Sequence, residues 1–155
     1  LIILSGVSLS EVRHRVAQAK PDIVVLDYIQ SYAHLLATNK EGTLSHAIGG
    51  IMNTLRHIAI EYNCACICLT QFSRRAEGMT TRKPRLEDMK ESGEIENESD
   101  EVLLVWWQWR DSGSTNKIPR DYRFLIAKNK IGAIQIDDGV KASIDVKTLS
   151  IGGWE

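Results

Sequence analysis

The run of aliphatic residues at positions 23–26, IVVL, followed directly by Asp27, limits the fold more than any other stretch of the chain. A short aliphatic run that is rich in β-branched residues predicts a strand buried on both faces of a parallel sheet. In open parallel sheets, ligands bind at the carboxyl edge of the strands. The sequence therefore predicts an α/β fold with Asp27 at that edge, and a capping or turn role for this residue is the alternative.

The segments before this strand predict a βαβ unit. Residues 1–4 are aliphatic and predict an opening strand, and Ser8 or Ser10 can cap a helix that begins near Glu11. Pro21 ends that helix before the central strand. Because crossover connections between parallel strands are right-handed, we expect a parallel sheet that is covered on both faces.

The segments after this strand predict one long helix and two loop regions. Residues 31–42 are polar and predict a loop, whereas apolar residues at helical spacing over positions 44–62 predict an amphipathic helix. The glycine pair at positions 49–50 predicts close packing or a kink in that helix. Residues 76–99 contain few aliphatic residues and many charges, which indicates one or two loops.

Five more apolar runs predict strands, over residues 64–69, 101–109, 122–127, 133–136 and 143–149. The first of them ends in Thr70 and Gln71, which brings a second polar group to the edge where Asp27 is expected. A glutamine can sense a terminal phosphate there, because its amide donates to an oxyanion and accepts from a water; a capping role is the alternative. The last strands predict a β-hairpin and an antiparallel closing strand.

Composition limits the cellular setting and the partners. The chain has 155 residues, 43% hydrophobic and 25% charged, which predicts one domain over residues 1–155. Its net charge of −1 means that any contact with nucleic acid needs a local patch or several subunits. No apolar run is long enough to cross a bilayer and no signal peptide is visible, so we expect a cytoplasmic protein without a membrane partner. The three alternating cysteines at positions 64–68 are expected to be reduced core thiols.

Four blocks of sequence follow one another in a characteristic order. They are DYIQ at 27–30, LTQFSR at 69–74, PRLEDMKESGEIENESD at 84–100 and AKNKIG at 127–132. In order and spacing they resemble the C-terminal, RecA-like motor domain of DnaB-family replicative DNA helicases. The resemblance covers nearly the whole chain, and the block with the Glu-Ser-Gly core is its most specific part. It implies a RecA-like P-loop NTPase core, with a mostly parallel twisted sheet, flanking helices and an antiparallel C-terminal hairpin.

The resemblance also implies roles for individual residues. Asp27 matches the Walker B aspartate that holds the magnesium ion of the nucleotide, and Gln71 matches the glutamine that couples the nucleotide's state to the DNA loop. Lys128 and Lys130 match basic residues that reach the γ-phosphate bound on the neighbouring subunit. The residues matched to single-stranded DNA binding are Arg74, Lys90, Glu91 and Gly93.

By this resemblance, the full-length protein is an ATP-dependent DNA helicase that couples ATP hydrolysis to translocation on single-stranded DNA and duplex unwinding. ATP and Mg²⁺ are the implied cofactors. Single-stranded DNA and identical subunits in a homo-hexamer are the implied partners, with primase and a helicase loader as further candidates. The alternatives are a RecA/RadA-like recombinase and a non-catalytic, helicase-like binding module.

The chain departs from the family pattern in two ways. It contains no Gly-x-x-x-x-Gly-Lys-Ser/Thr phosphate loop, so we expect a C-terminal portion of the motor domain that does not hydrolyse ATP alone. Lysine stands at positions 83, 90 and 130, where the family usually has arginine, and lysine lacks the planar fork that binds phosphate bidentately. Alternatively, Lys128 and Lys130 are solvated edge-strand residues that oppose aggregation, and the acidic block is an exposed charged segment.

Overall fold

The computed structural model describes residues 1–37, 43–73, 83–89, 92–107, 122–145, 148 and 150–152. The chain divides into two units. The first consists of Leu1–Gln71 with Gly93–Glu98, and the second of Phe72–Ser92 with Ser99–Glu155.

The first unit contains a short parallel sheet and most of the helices. Strands β1 and β2 pair in parallel, with Ile23 opposite Ala65 and Leu26 opposite Cys68. The elements in chain order are α1 (Leu9–Ala19), β1 (Ile23–Leu26), α2 (Ile29–Ala37), α3 (Leu44–Tyr62), β2 (Ala65–Cys68) and α4 (Ser92–Glu98).

Hydroxyl caps begin the two helices that the sequence predicted here. Ser8 Oγ accepts the backbone N–H of Glu11 at 3.2 Å at the start of α1. Thr43 Oγ1 accepts the backbone N–H of His46 at 3.3 Å at the start of α3. Each cap pairs a backbone donor that has no partner within the first turn of its helix. The predicted helices near Glu11 and over positions 44–62 are confirmed.

The core of the first unit lies against α3. Ile48, Ile51 and Ile58 of this helix are almost fully buried. Ile58 also belongs to a cluster with Val16 of α1 and Cys64, against which the inward residues of both strands pack. The three cysteines are free thiols, as expected. Burial of the α3 stripe is the main apolar contribution to the stability of this unit.

Three predictions for the first unit are wrong. Residues 1–4 form no strand and are exposed. Residues 31–37, predicted as loop, belong to α2, because its apolar side packs on α3. The sheet is covered on one face only within the described residues: Ile23, Val25 and Ile67 remain 56%, 58% and 46% exposed on the other. The prediction of a strand buried on both faces therefore fails here.

The second unit is an antiparallel sheet in the order β3-β4-β5-β6. Its strands are β3 (Glu101–Trp107), β4 (Tyr122–Asn129), β5 (Gln135–Asp145) and β6 (Ser150–Gly152). The predicted hairpin is confirmed as β4 and β5, although it is part of a larger sheet. Among the described residues the antiparallel strands outnumber the parallel ones, so a mostly parallel sheet is not what these residues form.

The acidic stretch predicted as loop is partly helical. A 3₁₀ helix covers Leu86–Asp88, and α4 covers Ser92–Glu98. Positions 76–82 and 90–91 of that stretch lie outside the described residues. Within the part of the chain that the structure describes, no helix combines the length and apolar character needed to cross a bilayer.

Candidate functional site

Asp27 and Gln71 lie at the same edge of the parallel sheet. Asp27 directly follows β1, Gln71 follows β2 by three positions, and both residues are exposed. The peptide bond between Asp27 and Tyr28 is cis. Because β1 and β2 pair in parallel, their carboxyl ends meet at one edge. The structure therefore brings a carboxylate and an amide to the edge that the sequence predicted.

Backbone hydrogen bonds continue the ladder past the ends of both strands. The N–H of Leu69 donates to the carbonyl oxygen of Leu26 at 2.9 Å, and the N–H of Ile29 donates to the carbonyl oxygen of Leu69 at 3.0 Å. Leu69 is therefore hydrogen-bonded to one residue before Asp27 and to one residue after it. These two bonds set the register of the two segments as far as Leu69.

A side-chain hydrogen bond joins the same two segments. Gln30 Nε2 donates to Thr70 Oγ1 at 2.7 Å. Gln30 is only 3% exposed, and its Oε1 is buried without a hydrogen-bond partner among the described residues. The sequence analysis missed this contact. The only local indication of it was that an amide side chain, Gln30, follows Asp27 by three positions.

Asp27 is a suitable magnesium ligand in an open site. Carboxylate oxygen is a preferred ligand of Mg²⁺, which commonly takes one or two carboxylates and completes its shell with substrate phosphates and water. In the described ranges, no three His, Cys, Asp or Glu side chains are grouped to hold a metal by themselves. Asp27 by itself would fill only one or two of the six positions around a bound Mg²⁺.

The residues that directly follow Gln71 are tied to the 3₁₀ helix. The N–H of Ser73 donates to the carbonyl oxygen of Asp88 at 2.8 Å, and Phe72 forms an isolated antiparallel bridge with Met89. Asp88 is 8% exposed, and its Oδ2 accepts the N–H of Arg85 at 2.7 Å. Within the second unit, the segment after Gln71 is thereby joined to the segment that leads to Lys90. Lys90, Glu91 and Arg74 themselves lie outside the described residues.

Gly93 is exposed in the first turn of α4, and nothing lies within 4 Å of where its Cβ would be. A Cβ on Gly49 of α3 would lie 3.0 Å from Glu94 Oε2, so the end of the Glu94 side chain packs against this glycine. Arg56 Nη1 lies 3.7 Å from Glu98 Oε2 and forms a second tie between the helices. The predicted close packing at the glycine pair is confirmed at Gly49.

Lys128 and Lys130 belong to the second unit, at the end of β4. Lys128 is half-buried and pairs with Val102 in the ladder between β3 and β4. Lys130 follows the strand, and its ammonium group lies 2.9 Å from Asp100 Oδ1. Asn129 Oδ1 accepts the N–H groups of Ile131 and Gly132, each at 3.0 Å, which shapes the turn after the strand.

Comparison with solved structures defines the class of protein. One solved ATPase domain superposes with a TM-score of 0.77 and 25% sequence identity, covering 96% of this chain and 52% of that one. A DnaB-like replicative helicase, solved in a study of its interactions with primase, matches with a TM-score of 0.73 and 24% identity, over 90% of this chain and 33% of that one. The fold is therefore that of DnaB-like ATPase domains.

Sequence comparison identifies the family. The profile of the DnaB-like helicase C-terminal domain matches residues 4–139, and the chain belongs to this family. A probable replicative DNA helicase of Trieres chinensis is 35% identical over 74% of this chain. A probable plasmid replicative DNA helicase of Chlamydia trachomatis serovar L2 is 30% identical over 73%, and the replicative DNA helicase DnaB of Mycoplasma genitalium is 31% identical over 65%. The chain spans between 22% and 26% of the length of these relatives.

Proposed function

We propose that this chain is part of the motor of a replicative DNA helicase. In the natural protein that contains it, ATP hydrolysis drives movement along single-stranded DNA and separation of the duplex. The observation that carries the proposal is that Asp27 and Gln71 follow two paired parallel strands at the same edge of the sheet, in a chain of the DnaB family. The family match also supports a helicase over a RecA/RadA-like recombinase.

The proposed chemistry is the positioning of phosphates and the balancing of their charge. Asp27 would hold the nucleotide's magnesium ion with its carboxylate, usually through water, and Mg²⁺, when bound, neutralises phosphate charge. Gln71 donates its amide hydrogen to a phosphate oxygen or accepts a hydrogen from the attacking water. Its exposure at the sheet edge supports this role, because the amide is accessible to a nucleotide.

The remaining roles require neighbouring subunits and DNA. We assign Lys128 and Lys130 to the γ-phosphate bound on the next subunit of a homo-hexamer, where they neutralise charge that develops during transfer. We assign Arg74, Lys90, Glu91 and Gly93 to the phosphate backbone of single-stranded DNA, which is bound without base readout. Six copies in a ring would supply the positive field that a chain of net charge −1 lacks.

The whole protein is proposed to act in the cytoplasm, with primase and a helicase loader as partners. Residues 1–155 form the C-terminal portion of one RecA-like motor domain in this proposal. One structural neighbour was solved in a study of its interactions with primase, which supports that partner. Because residues 1–155 contain no glycine-rich phosphate loop, we propose that they do not hydrolyse ATP alone.

The test uses the natural protein with Asp27→Asn and, as a matched control, Asp22→Asn. Asp22 is an exposed acid at the opposite end of the same strand, where its backbone carbonyl oxygen accepts the N–H of Ala65. We expect Asp27→Asn to lower the kcat for Mg²⁺-dependent, DNA-stimulated ATP hydrolysis by at least about 100-fold. Asp22→Asn keeps that backbone bond and should stay within about twofold of the wild type, as surface substitutions usually do.

Two further assays separate the alternatives. Wild-type protein should unwind a forked duplex and should not exchange strands between homologous duplexes. Strand exchange without unwinding would favour a recombinase. Full hydrolysis by Asp27→Asn, or no hydrolysis by the wild type in Mg²⁺ and single-stranded DNA, would contradict the proposed motor.

A further inference from the structure

Gln30 is a buried amide that the functions assigned above do not use. Its side chain is 3% exposed and donates a hydrogen bond to Thr70 Oγ1 at 2.7 Å. Its Oε1 has no partner among the described residues. Turning the amide over would let Thr70 donate to Oε1 and would leave Nε2 in the unpaired position. In either orientation, one buried polar atom of Gln30 lacks a partner within the described part of the chain.

An unpaired buried polar atom lowers stability relative to an apolar side chain of similar size. Methionine is close to glutamine in length and would fill the same space without that cost. The neighbouring buried residues Ile29 and Ala33 are apolar, so an apolar side chain would also suit this face of the helix. The bond to Thr70 is therefore the contribution that distinguishes glutamine from an apolar residue at this position.

The position of this bond relates it to the sheet edge. Gln30 follows Asp27 by three residues, and Thr70 directly precedes Gln71. The backbone ties at Leu69 hold the two segments up to that residue. Beyond Leu69, the chain after β1 has turned into α2, so a side chain makes the next connection. A hydrogen bond in a buried environment is less weakened by solvent than an exposed one.

We propose, on the basis of the helicase function proposed above, that Gln30 is a positioning residue. Its bond to Thr70 holds the segment that carries Gln71 in register with the segment that carries Asp27. Gln30 touches neither nucleotide nor metal in this role. The Gln30–Thr70 bond keeps the amide of Gln71 in a constant position along the sheet edge relative to the carboxylate of Asp27, so that both groups reach one bound nucleotide.

The experiment removes the bond from either side in the natural protein. Gln30→Met deletes the amide, Thr70→Val deletes only the hydroxyl, and Thr70→Ser retains the hydroxyl. Thr54→Val is the matched control, because Thr54 Oγ1 donates to the carbonyl oxygen of Gly50 on the exposed surface of α3. The kcat, the KM for ATP, the half-saturating Mg²⁺ concentration and the melting temperature are measured for each variant.

We expect Gln30→Met and Thr70→Val each to lower kcat by about tenfold, because misplaced catalytic groups reduce the rate more than they reduce binding. The KM for ATP should change by less than about twofold, and the melting temperature of Gln30→Met should not fall. Thr70→Ser should restore the rate. The double variant should be no slower than the slower single variant, since both changes remove one interaction. Equal rates in all variants would overturn the inference.

Hydrogen exchange separates this inference from the proposed function. Gln30→Met and Thr70→Val should speed exchange of the Leu69 and Ile29 amides by about tenfold relative to Thr54→Val, since the adjacent side-chain tie is lost. If Asp27→Asn retains full activity, the motor proposal fails, and the exchange data still decide whether Gln30 positions the two segments. Unchanged exchange at both amides would overturn the positioning role whatever the activity.

Discussion

Lys130 is held by Asp100 at two points. The backbone N–H of Lys130 donates to the carbonyl oxygen of Asp100 at 3.0 Å, and its ammonium group donates to Asp100 Oδ1 at 2.9 Å. Asp100 directly precedes β3, and Lys130 directly follows β4. The lysine proposed to reach a neighbouring subunit thus makes an ion pair within its own chain. The ammonium group has two further N–H donors with which it can contact a phosphate.

Breaking the ion pair should cost little stability. The side chains of Lys130 and Asp100 are 38% and 65% exposed, and solvent-exposed pairs contribute at most about 1 kcal/mol. We expect Asp100→Asn to lower the free energy of unfolding by less than about 1 kcal/mol, as measured by urea denaturation. Glu101→Gln, a change of the adjacent exposed acid, is the control. A loss of several kcal/mol specific to Asp100→Asn would mean that the pair has a structural role.

Replacing the lysine by arginine tests its proposed contact. We expect Lys130→Arg to leave the ATPase rate of the natural protein undiminished, because arginine keeps the charge and adds bidentate phosphate binding. Lys130→Ala should lower kcat by about 100-fold or more, as the removal of a transition-state charge does. Lys141→Ala, which removes a cation from β5, is the control for net charge. A large loss in Lys130→Arg would indicate that the position has a different role.

Gly139 of β5 is required by its backbone and by its surroundings. Its φ is +65°, and a Cβ would lie 2.5 Å from the carbonyl oxygen of Phe124 and 2.7 Å from Leu125 Cδ2. We expect Gly139→Ala to lower the free energy of unfolding by about 2 to 4 kcal/mol, from backbone strain and overpacking together. Gly50→Ala is the matched control, because nothing lies within 4 Å of its Cβ position in α3, and it should stabilise by up to about 1 kcal/mol. Equal stabilities for the two variants would contradict the described packing of β4 against β5.

The half-buried thiols of Cys66 and Cys68 in β2 make the free energy of unfolding depend on pH. Burial, with a smaller contribution from Cys64, raises the pKa of Cys66 from 9.0 to about 11, and burial chiefly raises the pKa of Cys68 from 9.0 to about 12. As pH rises, the two thiols lose their protons in the unfolded chain before they lose them in the folded protein. Their contribution to the free energy of unfolding is therefore complete below about pH 9 and is lost as pH rises to about 11 to 12.

We therefore expect the free energy of unfolding, measured in reducing agent, to fall between about pH 9 and 11. Replacing Cys66 and Cys68 by alanine should flatten this fall. Burial also raises the pKa of Tyr32, whose loss of a proton has the same sign, so the difference between variant and wild type is the measure. A pH dependence that is identical in the two proteins would contradict the raised pKa values of these two thiols.

Local sequence predicted the positions of Asp27 and Gln71 at one edge of the sheet. The aliphatic runs before Asp27 and Gln71 predicted two parallel strands that end at one edge, and β1 and β2 pair in that way. The roles of both residues remain predictions, as do those of Arg74, Lys90 and Glu91, which lie outside the described residues. The bond between Gln30 and Thr70 had no clear local signal, because it joins residues 40 positions apart.

The two errors in element assignment have different origins. Residues 31–37 were predicted as loop together with the polar residues up to position 42, yet they include Ala33, Leu35 and Leu36, which favour a helix, and Ile29 and Ala33 of that helix are fully buried. The aliphatic residues 1–4 predicted a strand, but a strand requires a partner for its backbone groups, and none of the described strands pairs with them. An aliphatic run indicates avoidance of water without identifying the segment that covers it.

The sequence by itself determined the capped start of α1, the amphipathic stripe of α3 and the carboxylate at the end of β1. These features arise from interactions within one or two helical turns or along one strand, which the order of residues specifies directly. Only the tertiary structure decided that Leu69 is clamped between Leu26 and Ile29, and that Lys130 pairs with Asp100 across 30 positions. Strand register brings such distant residues together, and it depends on the packing of the whole unit.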